Sequence, residues 1–139
     1  IISAIIPVNI VTINILSDAK YPVDRDGIRK GLIKILTEHQ LTDNVELAVM
    51  VVGKRKMTEL HIEHMELPGP TDVLSFPLID PDDSQPFVAS PDEVLRLGDI
   101  VVCYPVAVRQ ALEKQIKLDA QIQFLAEHGL MHLLGHHHE

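Results

Sequence analysis

One cysteine, Cys103, is all that the 139 residues contain. A lone cysteine closes no internal disulfide and builds no cysteine cage around zinc, so Cys103 is expected as a small buried apolar side chain in a reducing compartment. Tryptophan is absent, and two Tyr and three Phe leave no visible aromatic platform for nucleobases. Positive charge is also scarce: 12 Lys and Arg stand against 20 Asp and Glu, a formal net charge of −8. That balance excludes broad electrostatic attachment to nucleic acid, so any RNA contact has to be local. The places for one are Arg25, Arg29, Lys30 and Lys34 on one helix and Lys54, Arg55 and Lys56 at the start of another, although such runs ordinarily form solvated faces. No apolar run approaches the ~18 residues that span a bilayer, and residues 1–7 lack the positive region and cleavage pattern of a signal peptide. A cytoplasmic protein without membrane contact is expected. The length suits one domain, residues 1–139, large enough to bury roughly 68–70% of its unfolded surface. The chain opens on Ile1 instead of Met and closes on Glu139, so trimming at both ends, with a closing helix missing, is the expectation.

Along the chain, residues 8–16 alternate apolar and polar and are rich in branched side chains, which predicts a strand. Asp24 then caps an amphipathic helix reaching about His39, with Ile28, Leu32, Ile35 and Leu36 at helical spacing. Residues 45–52 are apolar and β-branched and predict a central buried strand. Residues 54 to about 65 have helical composition, with Met57, Leu60, Ile62 and Met65 available to a core, and Pro68, Gly69 and Pro70 end that helix. Residues 71–77 form a short strand, 78–96 an exposed loop, 97–103 another strand, 105 to about 117 a helix with Pro at its start, and 118–134 the final helix. Ile122, Leu125, Ala126, Leu130 and Leu133 give that helix its apolar face. The order β, α, β, α, β, β, α, α predicts an α+β fold: one mixed four-stranded sheet packed with helices, the functional site on the C-terminal helix and the turn after it.

The last residues supply the chemistry. His128, His132, Gly135 and His138 make the pattern HxxxHxxGxxH. Residues four apart share a helix face, so His128 and His132 can offer imidazole nitrogens to a common point about 2 Å from each. Gly135 tolerates the left-handed conformation that reverses the chain, which lets His138 swing back to the same ion. Three imidazoles leave one tetrahedral corner open for water, the arrangement of a catalytic zinc site, although imidazoles accept other transition metals as well. His136, His137 and His138 also resemble the remnant of an expression tag; otherwise His136 and His137 belong to a solvated loop.

HxxxHxxGxxH is shared with metzincin proteases, where a glutamate follows the first His as general base. Here that place is Gly129, and Glu127 lies about 100° around the helix from His128. Peptide hydrolysis by that mechanism is therefore not expected. Phosphodiester cleavage stays open, because zinc lowers the pKa of its water to about 7 without a carboxylate. Either an RNA 2′-hydroxyl or the metal hydroxide can be the nucleophile.

The His pattern, the segment Thr71-Asp-Val-Leu-Ser-Phe-Pro77 and the segment Leu97-Gly-Asp-Ile-Val-Val-Cys103 together resemble the YbeY family of bacterial endoribonucleases and rRNA maturation factors, over nearly the whole chain. The resemblance implies a zinc-dependent, single-strand-specific endoribonuclease with one ion per chain. Its implied task is maturation of the 16S rRNA 3′ end and ribosome quality control, with rRNA and the small ribosomal subunit as partners. It further implies that His128, His132 and His138 are the ligands and act through the metal-bound water. Many members carry an arginine six residues before the threonine of the TDVLSFP-like motif, where this chain has Met65; Arg55 or Lys56 is the expected replacement at the substrate phosphate. Asp72 is a candidate catalytic residue, Ser75 a substrate contact, Asp99 a support for a histidine, and Phe76 a base-stacking side chain, against ordinary roles in strand ends, turns and core. A ribosome-associated assembly factor with a mainly structural metal site and a metal hydrolase of another substrate are the alternative readings, and the sequence leaves oligomeric state open.

Overall fold

The computed structural model describes residues 10–41, 44–65, 71–78 and 94–135, with backbone alone over 62–65. Its first strand, β1 (Val11–Ser17), leads to helix α1 (Arg25–Glu38) and then β2 (Val45–Val52). Helix α2 (Lys54–Met65), strands β3 (Val73–Pro77) and β4 (Leu95–Cys103), and helices α3 (Tyr104–Lys114) and α4 (Leu118–Gly135) follow. The four strands form one sheet in the order β1-β2-β4-β3. β1, β2 and β4 are parallel, and β3 runs antiparallel along β4. This is the α+β arrangement expected, a mixed four-stranded sheet with four helices.

Two apolar layers hold the sheet. On one face Ile13, Ile15, Leu47, Val49, Ile100 and Val102 meet Ile28, Leu32 and Leu36 of α1 and Ile122, Leu125, Leu130 and Leu133 of α4. On the other, Leu74, Val101 and Cys103 meet Met57 of α2, with Leu60 and Phe76 packed beside them. Strand alternation is what sorts neighbouring residues between the layers. The strictly alternating burial of β2 matches its central position, paired on both sides. All five residues predicted for the apolar face of α4 are buried. Cys103 is buried as expected, and burial pushes its thiol pKa up, which leaves it unreactive.

Several boundaries differ from expectation. β4 begins at Leu95 because Leu95 and Arg96 pair with Val45 and Glu46 before the register shifts at Glu46 and Leu47. Gly98 absorbs that irregularity at φ 141°, where a side chain would collide with the Phe76 carbonyl. α3 stops at Lys114, short of residue 117, because Gln115 takes the left-handed conformation and its N–H bonds back to Ala111 and Leu112. No glycine marks that end. The first strand starts at Val11, and residues 8–9 and most of the predicted 78–96 loop lie outside the described residues.

Asp24 caps α1 as predicted, accepting from Gly27 N at 3.1 Å. Arg25 is taken up by the fold: its guanidinium donates to the Ile15 carbonyl and to Ser17 Oγ, tying α1 to the end of β1. That removes Arg25 from the set of cations open to a ligand.

Candidate metal centre

α4 lies across β3 and β4 and turns its apolar side to the sheet, so its outer side carries the imidazoles. His128 and His132 are both exposed, and their Nε2 atoms stand 3.1 Å apart. The rings meet edge to face, with centroids 4.6 Å apart at 77°. Two nitrogens held by one tetrahedral zinc at about 2.0–2.1 Å are separated by about 3.3 Å, so the pair is spaced to share an ion. With no ion, one ring can donate to the other, which keeps both nitrogens satisfied. By spacing and by chemistry the donor pair fits a zinc ion. Among the described residues no third His, Cys, Asp or Glu joins it. His138, with His136 and His137, lies outside them. The left-handed turn expected at Gly135 is a correction: Gly135 is the last residue of α4 and keeps the helical backbone, so the helix runs through it.

Gly129, between the two histidines, brings the helix backbone close against the sheet. A Cβ there would stand 2.6 Å from Ile100 Cγ2 and 3.3 Å from Ser75 Oγ. The missing glutamate of the protease pattern is thus sterically excluded. Glu127 offers no replacement, since its carboxylate leans over α1 at Gly31, where an added Cβ would meet Oε2 at 2.6 Å.

Ser75 donates to the Gly129 carbonyl at 2.9 Å. It pairs with Ile100 across β3 and β4 and faces α4, so the serine of the TDVLSFP segment fastens the helix between its two histidines. A hydrogen bond of this kind contributes about 1 kcal/mol. Asp72 sits at the other end of β3. Its Oδ1 accepts from Val73 N at 2.7 Å, its Oδ2 from Gln110 Nε2 at 3.2 Å, and its carbonyl from Cys103 N at 2.9 Å. Gln110 Oε1 in turn accepts from Gln121 Nε2 at 2.8 Å, and Gln121 is 1% exposed. Gln121 precedes His128 by seven residues, about 10 Å along the helix. Asp72 is therefore engaged in fixing the ends of β3, α3 and α4, and is not brought to the histidines.

Asp99 shares the parity of Val101 and Cys103, the layer under α2, and pairs with Phe76 on that side. The alternation that puts Ile100 beneath α4 thus points Asp99 away from it. Phe76 packs on that second layer. Arg55 and Lys56 are on α2, which covers the same far face, so they are not brought beside His128 and His132. Met65 belongs to α2, but its side chain lies outside the described residues.

Two side chains near the histidines escape the sequence patterns. Phe124, one turn before His128, is 53% exposed and stacks on its ring at 6.2 Å between centroids and 18° between planes. Lys114 stands over the opposite end of this group, 4.8 Å from the Phe124 centroid, and donates to Gln121 Oε1 at 3.2 Å. The i, i+4 rule that pairs the histidines could have found Phe124; only the fold could supply Lys114.

The family model described as Endoribonuclease YbeY matches residues 14–139. A Streptomyces coelicolor protein named endoribonuclease YbeY is 37% identical over 132 residues, covering 92% of this chain and 78% of the relative. A protein of the same name from Thermobifida fusca is 35% identical over 127 residues, covering 91% and 81%. The fold is similar to the solution structure of TM1509 from Thermotoga maritima, with a TM-score of 0.54 at 24% identity over 88% of this chain and 71% of that one. With a family match that runs from within the first strand to the last residue, the chain belongs to the YbeY endoribonuclease family.

Proposed function

We propose that this protein is a zinc-dependent endoribonuclease that cleaves single-stranded RNA in the cytoplasm, acting on the 16S rRNA 3′ end and in ribosome quality control. The observation that carries the reading is the pair of exposed imidazoles, His128 and His132, with Nε2 atoms 3.1 Å apart in a chain of this family. His138 completes the ligand set by its spacing in the sequence. When bound, a zinc ion supplies a Lewis acid for the phosphate and brings a water's pKa to about 7. The protein's own residues do the rest. His128 and His132 would hold the ion on the exposed side of α4, where a polymer can approach. Ser75 and Gly129 fix the helix against β3 and β4, so the two rings keep their spacing. Phe124 limits rotation of the His128 ring. Asp72, through Gln110 and Gln121, sets where α4 begins, a supporting role two turns from the chemistry.

Dialysis against a chelator tests the metal requirement. Cleavage of unstructured RNA should be lost and should return on addition of zinc, while a duplex of the same sequence stays intact. Full cleavage by metal-free protein would overturn the proposal.

A further inference from the structure

A cleft of about 400 Å³ opens at the carboxyl ends of β1 and β2, and none of its lining residues belongs to α4, the helix of the histidines. Lys20, Tyr21, Gly53, Lys54, Arg55 and Lys56 line it. Four of the chain's twelve Lys and Arg therefore converge there, on a protein whose net charge is −8. The carboxyl ends of parallel strands are where open α/β sheets ordinarily take ligands.

Local physics gives no structural reason for this gathering. Three consecutive cations occupy the first turn of α2, which contains no acidic residue. Positive side chains at a helix N-terminus oppose its dipole, so the sequence breaks a helix rule at this point. Asp18 and Glu59 also line the cleft, and Glu59 lies 3.7 Å from Arg55, but the Arg55 side chain remains 95% exposed. Asp18 accepts from the Lys20 backbone N–H. The balance of the lining is still two positive charges. Tyr21 packs at a tilt of 33° on Tyr104, with centroids 4.8 Å apart, and Gly53 leaves room for the Tyr21 hydroxyl, which would stand 2.5 Å from a Cβ there.

We propose that this cleft is a second RNA-binding region, separate from the histidine face, in which Lys20, Lys54, Arg55 and Lys56 take backbone phosphates of a single strand. Phosphate is the group that a cluster of Lys and Arg beside free helix amides recognises. The strand register keeps both regions within one molecule's reach. Gly129 rests on Ile100, whereas the cleft begins after Val52, which pairs with Cys103. Along the sheet that is three residues and one strand spacing, about 10 Å and about 5 Å, to which the α4 layer that carries the histidines on the opposite face adds about 10 Å. A flanking stretch of the substrate can therefore be held in the cleft while another part lies at the histidines. This gives Arg55 and Lys56 a positioning role on flanking phosphates in place of one at the cleaved bond.

The inference rests on RNA being the substrate, and one binding series separates the two. A labelled, unstructured oligoribonucleotide is titrated by fluorescence anisotropy into wild type and into the triple variant Lys54→Gln, Arg55→Gln, Lys56→Gln. The triple variant should bind at least about tenfold more weakly, and its plot of log affinity against log salt should be shallower by about 0.7 for each phosphate that the protein no longer neutralises. Its circular dichroism and zinc content should match wild type. Unchanged affinity and salt slope in a folded triple variant overturn the inference while leaving the endoribonuclease reading intact. Absence of RNA binding by wild type overturns both.

Discussion

His132→Ala is expected to lower RNA cleavage by about three orders of magnitude, equivalent to about 4 kcal/mol of transition-state stabilisation. The reason is geometric. Removing one imidazole leaves His128 alone on the described face of α4, and an ion held by the remaining ligands loses both affinity and orientation. Because His132 is exposed and its ring meets the exposed His128 edge to face, folding stability should change by no more than about 0.5 kcal/mol. Steady-state cleavage of a single-stranded substrate and a urea melt on the same preparation separate the two effects. Cleavage within a few-fold of wild type would mean that the pair is not the metal site.

Gly129→Glu should have the largest effect on stability. A Cβ already falls 2.6 Å from Ile100 Cγ2, and the remaining atoms would press into the layer between α4 and β4. Overpacking of this kind costs about 1–3 kcal/mol, and an unpaired carboxylate in the same place adds several more. Gly129→Ala isolates the first contribution. Urea denaturation should show the alanine variant destabilised by about 2 kcal/mol and the glutamate variant unfolded or nearly so. A stable Gly129→Glu protein would show that α4 does not rest on Ile100 and Ser75. The substitution restores the protease pattern in sequence, yet it should yield no peptidase, because the helix cannot carry that side chain against this sheet.

These two positions show where the sequence is readable. The histidines share a helix face by period alone, and the apolar residues from Ile122 to Leu133 mark the opposite face, so α4 and the side that carries its histidines are legible. Gly129 reads in sequence only as a missing base. Its steric reason depends on Ile100 and Ser75, brought to it by strand pairing that no local pattern encodes. Gln121 reads as a polar helix residue, but the fold buries it between Gln110 and Lys114 and so draws Asp72 into a structural chain. Asp99 belongs to a motif whose next residue, Ile100, supports α4; alternation sends Asp99 itself to the other layer. The basic run 54–56 is visible, whereas Lys20 and Tyr21, which complete its cleft, are more than thirty residues earlier in the chain.

If His128 and His132 hold a metal ion on α4, elemental analysis of tag-free protein is the most direct test. Wild type should contain close to one zinc per chain, and the His128→Ala, His132→Ala double variant should contain none. One equivalent of metal retained by a folded double variant would contradict the assignment of the site to α4.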